Sequence, residues 1–469
     1  MFYRLKEDLM LRGWDMLPTG IVRKCSRDIA FLPPKVYRAL QKATEMLPSS
    51  LFTSEEQKML AELVEAGILE ECDAPAPLSP EQRHLSYPNR YLYSVHWAVT
   101  GKCNCRCRHC YMSAPTRNSA DIGEPSIEEC LAIVRQMEEA GVRTVSLTGG
   151  EALTRRDFFT IVDALTDAGI CLTAIMSNGL LVNEKTIGEL TARGLKPEIN
   201  MSFDGIGCHD WLRGIDGAEK AVIRDFELCQ KNDIPTGAEY CLHKGNINVL
   251  GDSVKLLDEL GCSSLKVNRL SLEGEGVKIA DCAISQVEEY EAYLACLSRY
   301  YEDKIKMTLM LSGFFASRRD GTYTIPFDKE FAEDRDYGSY CICGHARNNM
   351  YITAEGAMVP CIPMGSIEGG RAQFPNIYAM KLREALVDSS YMKFIDTRLR
   401  DYFVHNPGCA ACEYKNRCAG GCRGRVAGAG GGDLLARDED ACAFFRQGWY
   451  RRLTEKMAEL GVKRYGAGS

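Results

Sequence analysis

The chain has 469 residues, 45% hydrophobic and 26% charged, with a net charge of −7. A prior of about 150 residues per domain predicts about three units. No stretch approaches the ~20 apolar residues of a membrane span, and the acidic balance gives no chain-wide cationic surface, so neither membrane nor nucleic acid is expected as a partner. Met1 to Met10 carries Arg4, Lys6, Glu7 and Asp8 with no small-residue cleavage site after it, which predicts cytoplasmic residence. Twenty-two cysteines in such a chain read as metal ligands or buried thiols before disulfides.

Residues 1–78 mix short strand-like runs (Phe2 to Leu9, Gly20 to Lys24, Ile29 to Leu32, Ile68 to Cys72) with two helical patterns, which predicts a small winged-helix-like domain. The second helix has a candidate capping box at Ser54-x-x-Gln57, an apolar face of Met59, Leu60, Leu63 and Val64, and a stop at Gly67. Asp73 to Pro88 is rich in proline and reads as a linker, placed at 79–91 between the domains. From Leu92 short apolar runs alternate with amphipathic helices, which predicts βα units and a parallel sheet. Six strands are expected: Leu92 to Thr100, Thr144 to Thr148, Cys171 to Ser177, Glu198 to Phe203, Thr236 to Leu242 and Ser264 to Asn268. A capping box at Ser126-x-x-Glu129 opens one of the helices, and Ser285-x-x-Glu288 opens another that runs to about Tyr301. Six units are too few for a closed eight-stranded barrel, so the fold class is α/β with a partial (β/α)6 barrel over 92–310. In 311–469 periodicity fades while glycines and cysteines concentrate, a composition that needs metals to order it.

Directly after the first barrel strand stands Gly101-Lys-Cys103-Asn-Cys-Arg-Cys107-Arg-His-Cys110-Tyr111. The C-terminal edge of a parallel strand is where barrel active sites are built. Three thiolates fill three corners of a cubane cluster and leave one iron open to a ligand. Zinc or plain buried thiols are the alternative reading of such a loop. Thr148-Gly149-Gly150-Glu151, Ser177-Asn178-Gly179 and Ser202-Phe203-Asp204-Gly205 follow the next three strands in phase. Together these motifs resemble the radical S-adenosylmethionine superfamily.

The resemblance implies a [4Fe-4S] cluster on Cys103, Cys107 and Cys110, with Cys105 a bystander outside the family's spacing. It also implies S-adenosylmethionine contacts at Gly149, Gly150, Glu151, Ser177, Asn178, Ser202 and Asp204. When the cofactor is bound and an electron enters, a 5'-deoxyadenosyl radical is released to abstract hydrogen from substrate. No residue is singled out as the catalytic base.

A second cysteine constellation follows: Cys343-x12-Gly356-x4-Cys361, then Cys409-x2-Cys412-x5-Cys418-x3-Cys422, and Cys442. Paired C-x2-C spacings also suit a zinc ribbon, but the full pattern resembles the SPASM subfamily. That resemblance implies two auxiliary [4Fe-4S] clusters, the first on Cys343, Cys361 and Cys422 with Cys341 as a candidate fourth ligand, the second on Cys409, Cys412, Cys418 and Cys442. Cys130, Cys171, Cys229, Cys241, Cys262 and Cys296 fall mostly on apolar faces and read as buried small hydrophobes.

Relatives by this resemblance mostly modify peptides, and the N-terminal module resembles a leader-recognition element that takes an extended peptide as an added strand. The reading is a maturase that oxidatively cross-links a ribosomally made precursor peptide through a thioether or carbon–carbon bond, fed by an electron donor such as flavodoxin or ferredoxin. A sulfatase-type maturase oxidising cysteine or serine is the enzymatic alternative. Its proposed base is an aspartate immediately after the cysteine matching Cys361, where this chain has Ile362. A non-catalytic zinc-binding protein is the third reading.

Overall fold

The computed structural model describes residues 1–24, 26, 28–114, 124–329, 336–428 and 432–466. At the N-terminus, β1 (Phe2–Leu5) pairs antiparallel with β5 (Leu69–Cys72), while β2 (Leu9–Asp15), β3 (Gly20–Arg23) and β4 (Ile29–Phe31) form an antiparallel sheet with β4 at its edge. Helices α1 (Pro34–Thr44) and α2 (Ser54–Glu65) cover a core that includes Leu5, Leu11, Leu40, Phe52, Leu60 and Leu69. The cap of α2 lies one residue before the expected Ser54. Thr53 accepts from the Glu56 amide and the Glu56 carboxylate accepts from the Thr53 amide, a charged acceptor that the Ser54–Gln57 pair lacks. Within the segment read as a linker, β6 (Leu85–Arg90) adds in parallel to β2, so the chain leaves the N-terminal sheet as a strand of it.

The six expected barrel strands are β7 (Ser94–Ala98), β8 (Thr144–Thr148), β9 (Cys171–Ser177), β10 (Glu198–Ser202), β11 (Thr236–Leu242) and β12 (Ser264–Arg269), each parallel to the next. The sheet continues past both ends. At one end β13 (Thr308–Leu311) joins β12 in parallel, followed antiparallel by β14 (Phe315–Ser317) and β15 (Tyr323–Thr324). At the other, β16 (Asn349–Ile352) joins β7 in parallel and pairs with β17 (Met358–Val359). The open sheet therefore holds eight parallel strands among eleven, two more than the periodicity revealed.

Alternation sets the two faces of the sheet. Val95, Trp97, Val145, Leu147, Ile199, Met201, Leu265 and Val267 are buried against the helices, each worth about 1.5–3 kcal/mol. Those helices are α3 (Ile127–Glu139), α4 (Phe158–Asp167), α5 (Glu184–Ala192), α6 (His209–Arg213), α7 (Ala218–Lys231), α8 (Leu250–Glu259) and α9 (Gln286–Glu302). Both barrel capping boxes form as expected, Ser126 with Glu129 and Ser285 with Glu288. The opposite parity places His96, Ser146, Asn200, Glu239 and Lys266 on the other face. There His96 Nδ1 lies 2.5 Å from Ser146 Oγ, and Asn268 donates to Glu239 at 2.7 Å.

Candidate functional site

The cysteine loop is fixed by backbone on three sides. Gly150 N donates to Thr100 O and Glu151 N to Lys102 O at 2.9 and 2.8 Å, tying it to the end of β8. A Cβ on Gly149 would stand 2.2 Å from Thr100 O and one on Gly150 2.3 Å from Lys102 O, so the paired glycines allow two backbones to touch. Arg106 N and Arg108 N donate to Arg213 O and Leu212 O, and Glu275 N donates to Cys110 O.

Within this frame the Cys105 thiol is buried and hydrogen-bonded to both Cys103 and Cys107, more intimate than the bystander its spacing suggested. The bond from Cys105, joined by the Arg213 charge and opposed by burial, pulls the Cys107 thiol down to about 6. Cys103 is lowered by the same partner, while burial pushes Cys110 up to about 11. Arg213 Nη1 lies 3.8 Å from Cys107 Sγ, and Asn178 Nδ2 lies 3.7 Å from Cys103 Sγ. Polar donors aimed at sulfur stabilise a thiolate or an anionic cluster, so the loop's donor set fits an iron–sulfur group.

The strand-end residues converge on this loop. Glu151, buried at the end of β8, accepts from the Asn178 amide at 2.7 Å, from Ser177 Oγ at 3.1 Å and from the Leu153 amide at 3.1 Å. Burial nevertheless raises its carboxyl to about 7. Asp204 is fully buried, and its carboxylate is occupied by protein groups: Arg213 Nε at 2.7 Å, His209 Nδ1 at 3.1 Å and the Cys241 amide at 3.0 Å. Burial would raise the Asp204 carboxyl, but Arg213 and His209 hold it well below the usual range. Asp204 thus orients the guanidinium that faces Cys107. Ser202 lies half-buried at the end of β10, in register with Glu239. His109, Arg213 and His209 escaped the sequence reading. A lone arginine nine residues after an aspartate carries no spacing signal, and only the fold brings it to the sulfur.

The C-terminal cysteines form two further groups. Burial, then the like charges of Cys422 and Cys343, push Cys361 up to about 12, so these three thiols act on one another electrostatically. Cys341 has different company: Arg347 and Arg398 both donate to its sulfur. Cys409, Cys412, Cys418 and Cys442 line one pocket of about 390 Å³, with Tyr414, Asp438 and Phe445 among the walls. The groups share surroundings without a finished shell, since no cluster of three or more His, Cys, Asp or Glu among the described residues could hold a single metal ion. Tyr111, adjoining Cys110, interacts with Tyr351 on β16, and Lys266 on β12 acts on Cys361, so the first trio faces the same sheet as the radical loop. Among the cysteines read as buried hydrophobes, Cys130, Cys229, Cys262 and Cys296 are buried, and Cys171 and Cys241 are half-buried.

Residues 97–257 match the Radical SAM superfamily. That segment is a radical SAM domain. It is 26% identical over 361 residues to an AdoMet-dependent heme synthase of Methanosarcina barkeri strain Fusaro, a match spanning 76% of this chain and 97% of that one. It is 22% identical over 350 residues to a PqqA peptide cyclase of Rhodopseudomonas palustris, spanning 74% and 85%. In fold it is similar to Streptococcus suis SuiB, solved with its precursor peptide SuiA, at a TM-score of 0.64 and 15% identity over 94% of this chain and 100% of that one. No helix among the described residues is long and apolar enough to cross a membrane.

Proposed function

We propose that the chain is a radical SAM maturase that cross-links a ribosomally made precursor peptide oxidatively, through a thioether or carbon–carbon bond. The observation that carries the reading is the N-terminal sheet, whose edge strand β4 pairs only with β3 among the described residues and leaves its outer backbone groups open to an added strand. The likeness to SuiB covers more of this chain than is left once residues 1–78 are set aside, so it reaches into that unit.

In this reading Cys103, Cys107 and Cys110 hold the radical cluster, and Glu151, Ser177, Asn178 and Ser202 surround S-adenosylmethionine beside Gly149 and Gly150. Asp204 serves through Arg213. The bound cofactors supply a hydrogen-abstracting radical. The chain's own residues fix the loop, exclude water by burial and keep donors on the sulfurs. Cys343, Cys361 and Cys422 hold one auxiliary cluster, with Cys341 as the candidate fourth ligand, and Cys409, Cys412, Cys418 and Cys442 hold the other. Either auxiliary group would take the electron that a cross-link must release. Ile362, in place of the aspartate expected of a sulfatase-type maturase, counts against that alternative.

A second reading, heme synthesis, is favoured by the 26% identity to the heme synthase. It leaves the N-terminal unit without a role. Anaerobic incubation of the iron–sulfur-loaded protein with S-adenosylmethionine, dithionite and the short peptide encoded beside its gene separates the two. A peptide lighter by about 2 Da supports the maturase. An unchanged peptide, with turnover of a porphyrin instead, overturns it.

A further inference from the structure

The proposed cross-link removes a hydrogen atom, an electron and a proton for each bond made, and the proton needs an acceptor near the reacting carbon. The acids around the barrel mouth are mostly occupied. Glu151 accepts from Ser177 and two amides, Asp204 is held by Arg213, Glu239 accepts from Asn268, and Asp440 pairs with Arg269 and Arg425. Glu273 is different. It stands half-buried in the loop that leaves β12 and has no hydrogen bond or ion pair among the described residues.

That loop is pressed against the radical loop. Glu275 N donates to Cys110 O and Gly276 N to Glu273 O, both at 2.9 Å. Gly274 follows Glu273 at φ +53°, and a Cβ there would stand 2.4 Å from Cys110 O, so only glycine lets the two backbones meet. Leu272 and Val277 flank the turn with exposed apolar side chains. The Glu273 charge also acts on the buried phenol of Tyr111.

On its other side the carboxylate meets the C-terminal cysteine region. Glu273 Oε1 lies 3.0 Å from where a Cβ on Gly428 would stand, and Cys361 Sγ lies 3.1 Å from where one on Gly424 would stand. Both glycines belong to the helix Arg423–Gly428. Positions four apart share a helix face with Cβ atoms about 5–6 Å apart, so the Glu273 carboxylate and the Cys361 sulfur lie within about 12 Å of each other. Glu273 thus stands between the radical loop and the first auxiliary trio, and a half-buried carboxylate without a partner in such a place is a group the fold has left available.

Resting on the proposed cross-linking, we propose that Glu273 is the catalytic base that takes the proton released as the new bond forms. The 5'-deoxyadenosyl radical removes a hydrogen atom from a substrate carbon, giving 5'-deoxyadenosine. That carbon joins a thiol sulfur or a second carbon of the same peptide. The proton of the joining group passes to the Glu273 carboxylate, and one electron passes to the oxidised first auxiliary cluster. Proton and electron leave toward the same side, so neither charge is stranded in the enclosed site.

The test uses the full-length, iron–sulfur-loaded parent, E273Q and E273A with S-adenosylmethionine, dithionite and the peptide encoded beside the gene, made uniformly deuterated. In E273Q the cross-linked peptide should form about 100-fold more slowly or worse. 5'-Deoxyadenosine should still appear in that variant and carry deuterium, because hydrogen abstraction comes first. Sodium formate, a small carboxylate, should restore product to E273A, with sodium chloride at equal ionic strength inert. Before iron and sulfide are loaded, both variants should bind the peptide and melt as the parent does.

Product from E273Q at the parent's rate overturns the proposal, as does joint loss of product and deuterated 5'-deoxyadenosine, or formate without effect on E273A. A parent that leaves the peptide unlinked defeats the proposed function itself, and this role with it.

Discussion

The radical loop and the C-terminal cysteine region solve the same problem, holding thiols in fixed relation, by opposite means. The loop hangs from a parallel sheet, and its sulfurs are set by strand ends, a glycine contact between backbones and a buried ion pair. The C-terminal cysteines sit on helices as short as Pro407–Ala410 and Lys415–Cys418, joined by turns with positive φ at Ala419, Gly420 and Gly421. In the first case the fold holds the ligands. In the second, on the proposed reading, bound clusters would help to hold the fold, because four-residue helices cannot support themselves.

The largest expected effect breaks the comparison at the level of chemistry. Cys107→Ala should abolish 5'-deoxyadenosine formation, whereas Cys412→Ala should retain reductive cleavage and lose the modified peptide, both read by mass spectrometry of the same reaction. Equal loss of both products would erase the division between the two regions. Next in size, removing iron by anaerobic chelation should leave barrel strands protected while a protease cuts first beyond about residue 337; simultaneous cleavage in 92–310 would contradict the contrast.

Arg213→Met leaves the Asp204 carboxylate buried without its guanidinium. The expected cost in denaturant unfolding of the metal-free protein is about 3–5 kcal/mol, part of which the Asp204→Asn partner change should restore.

The smallest effect lies in the barrel alone. Asp225 on α7 is fully buried, and burial, against the neighbouring Arg224, raises its carboxyl to about 6. Its folded value lies above the unfolded one near 3.9, so the native state holds more protons between roughly pH 4 and 6 and loses stability as pH rises through that window. Asp225→Asn should therefore melt higher than the parent above pH 7, by on the order of 1–3 kcal/mol, and the gap should close below pH 4. A constant gap across this range would show that ionisation is not the cause.

The same contrast explains what the amino-acid order disclosed. The six barrel strands, two barrel capping boxes and the loops at Cys103, Glu151 and Asn178 announce themselves because each is a local pattern: an apolar run, then a turn, then a helix start. β16 does not, because Asn349–Ile352 is four residues long and lies among cysteines and turns, and its place beside β7 is decided by long-range pairing. Arg213 and His209 are silent for a related reason: their role arises from burial with Asp204. Cys341 is silent in the same way: its offset from Cys343 is tighter than the resemblance leads one to expect, and only the fold brings the Arg347 and Arg398 guanidinium groups to its sulfur.

The strand that carries the radical loop is flanked by β8 on one side and by β16 on the other, and β16 lies some 250 residues further along the chain. During synthesis β7 therefore waits as a bare edge until that distant strand leaves the ribosome. A chain cut after the last of the six expected strands would keep all three cysteines of the loop yet present an unpaired parallel edge beside them, which invites aggregation. On the proposed reading, the surroundings of the loop would be complete for iron and sulfide only once β16 has closed that edge, late in translation.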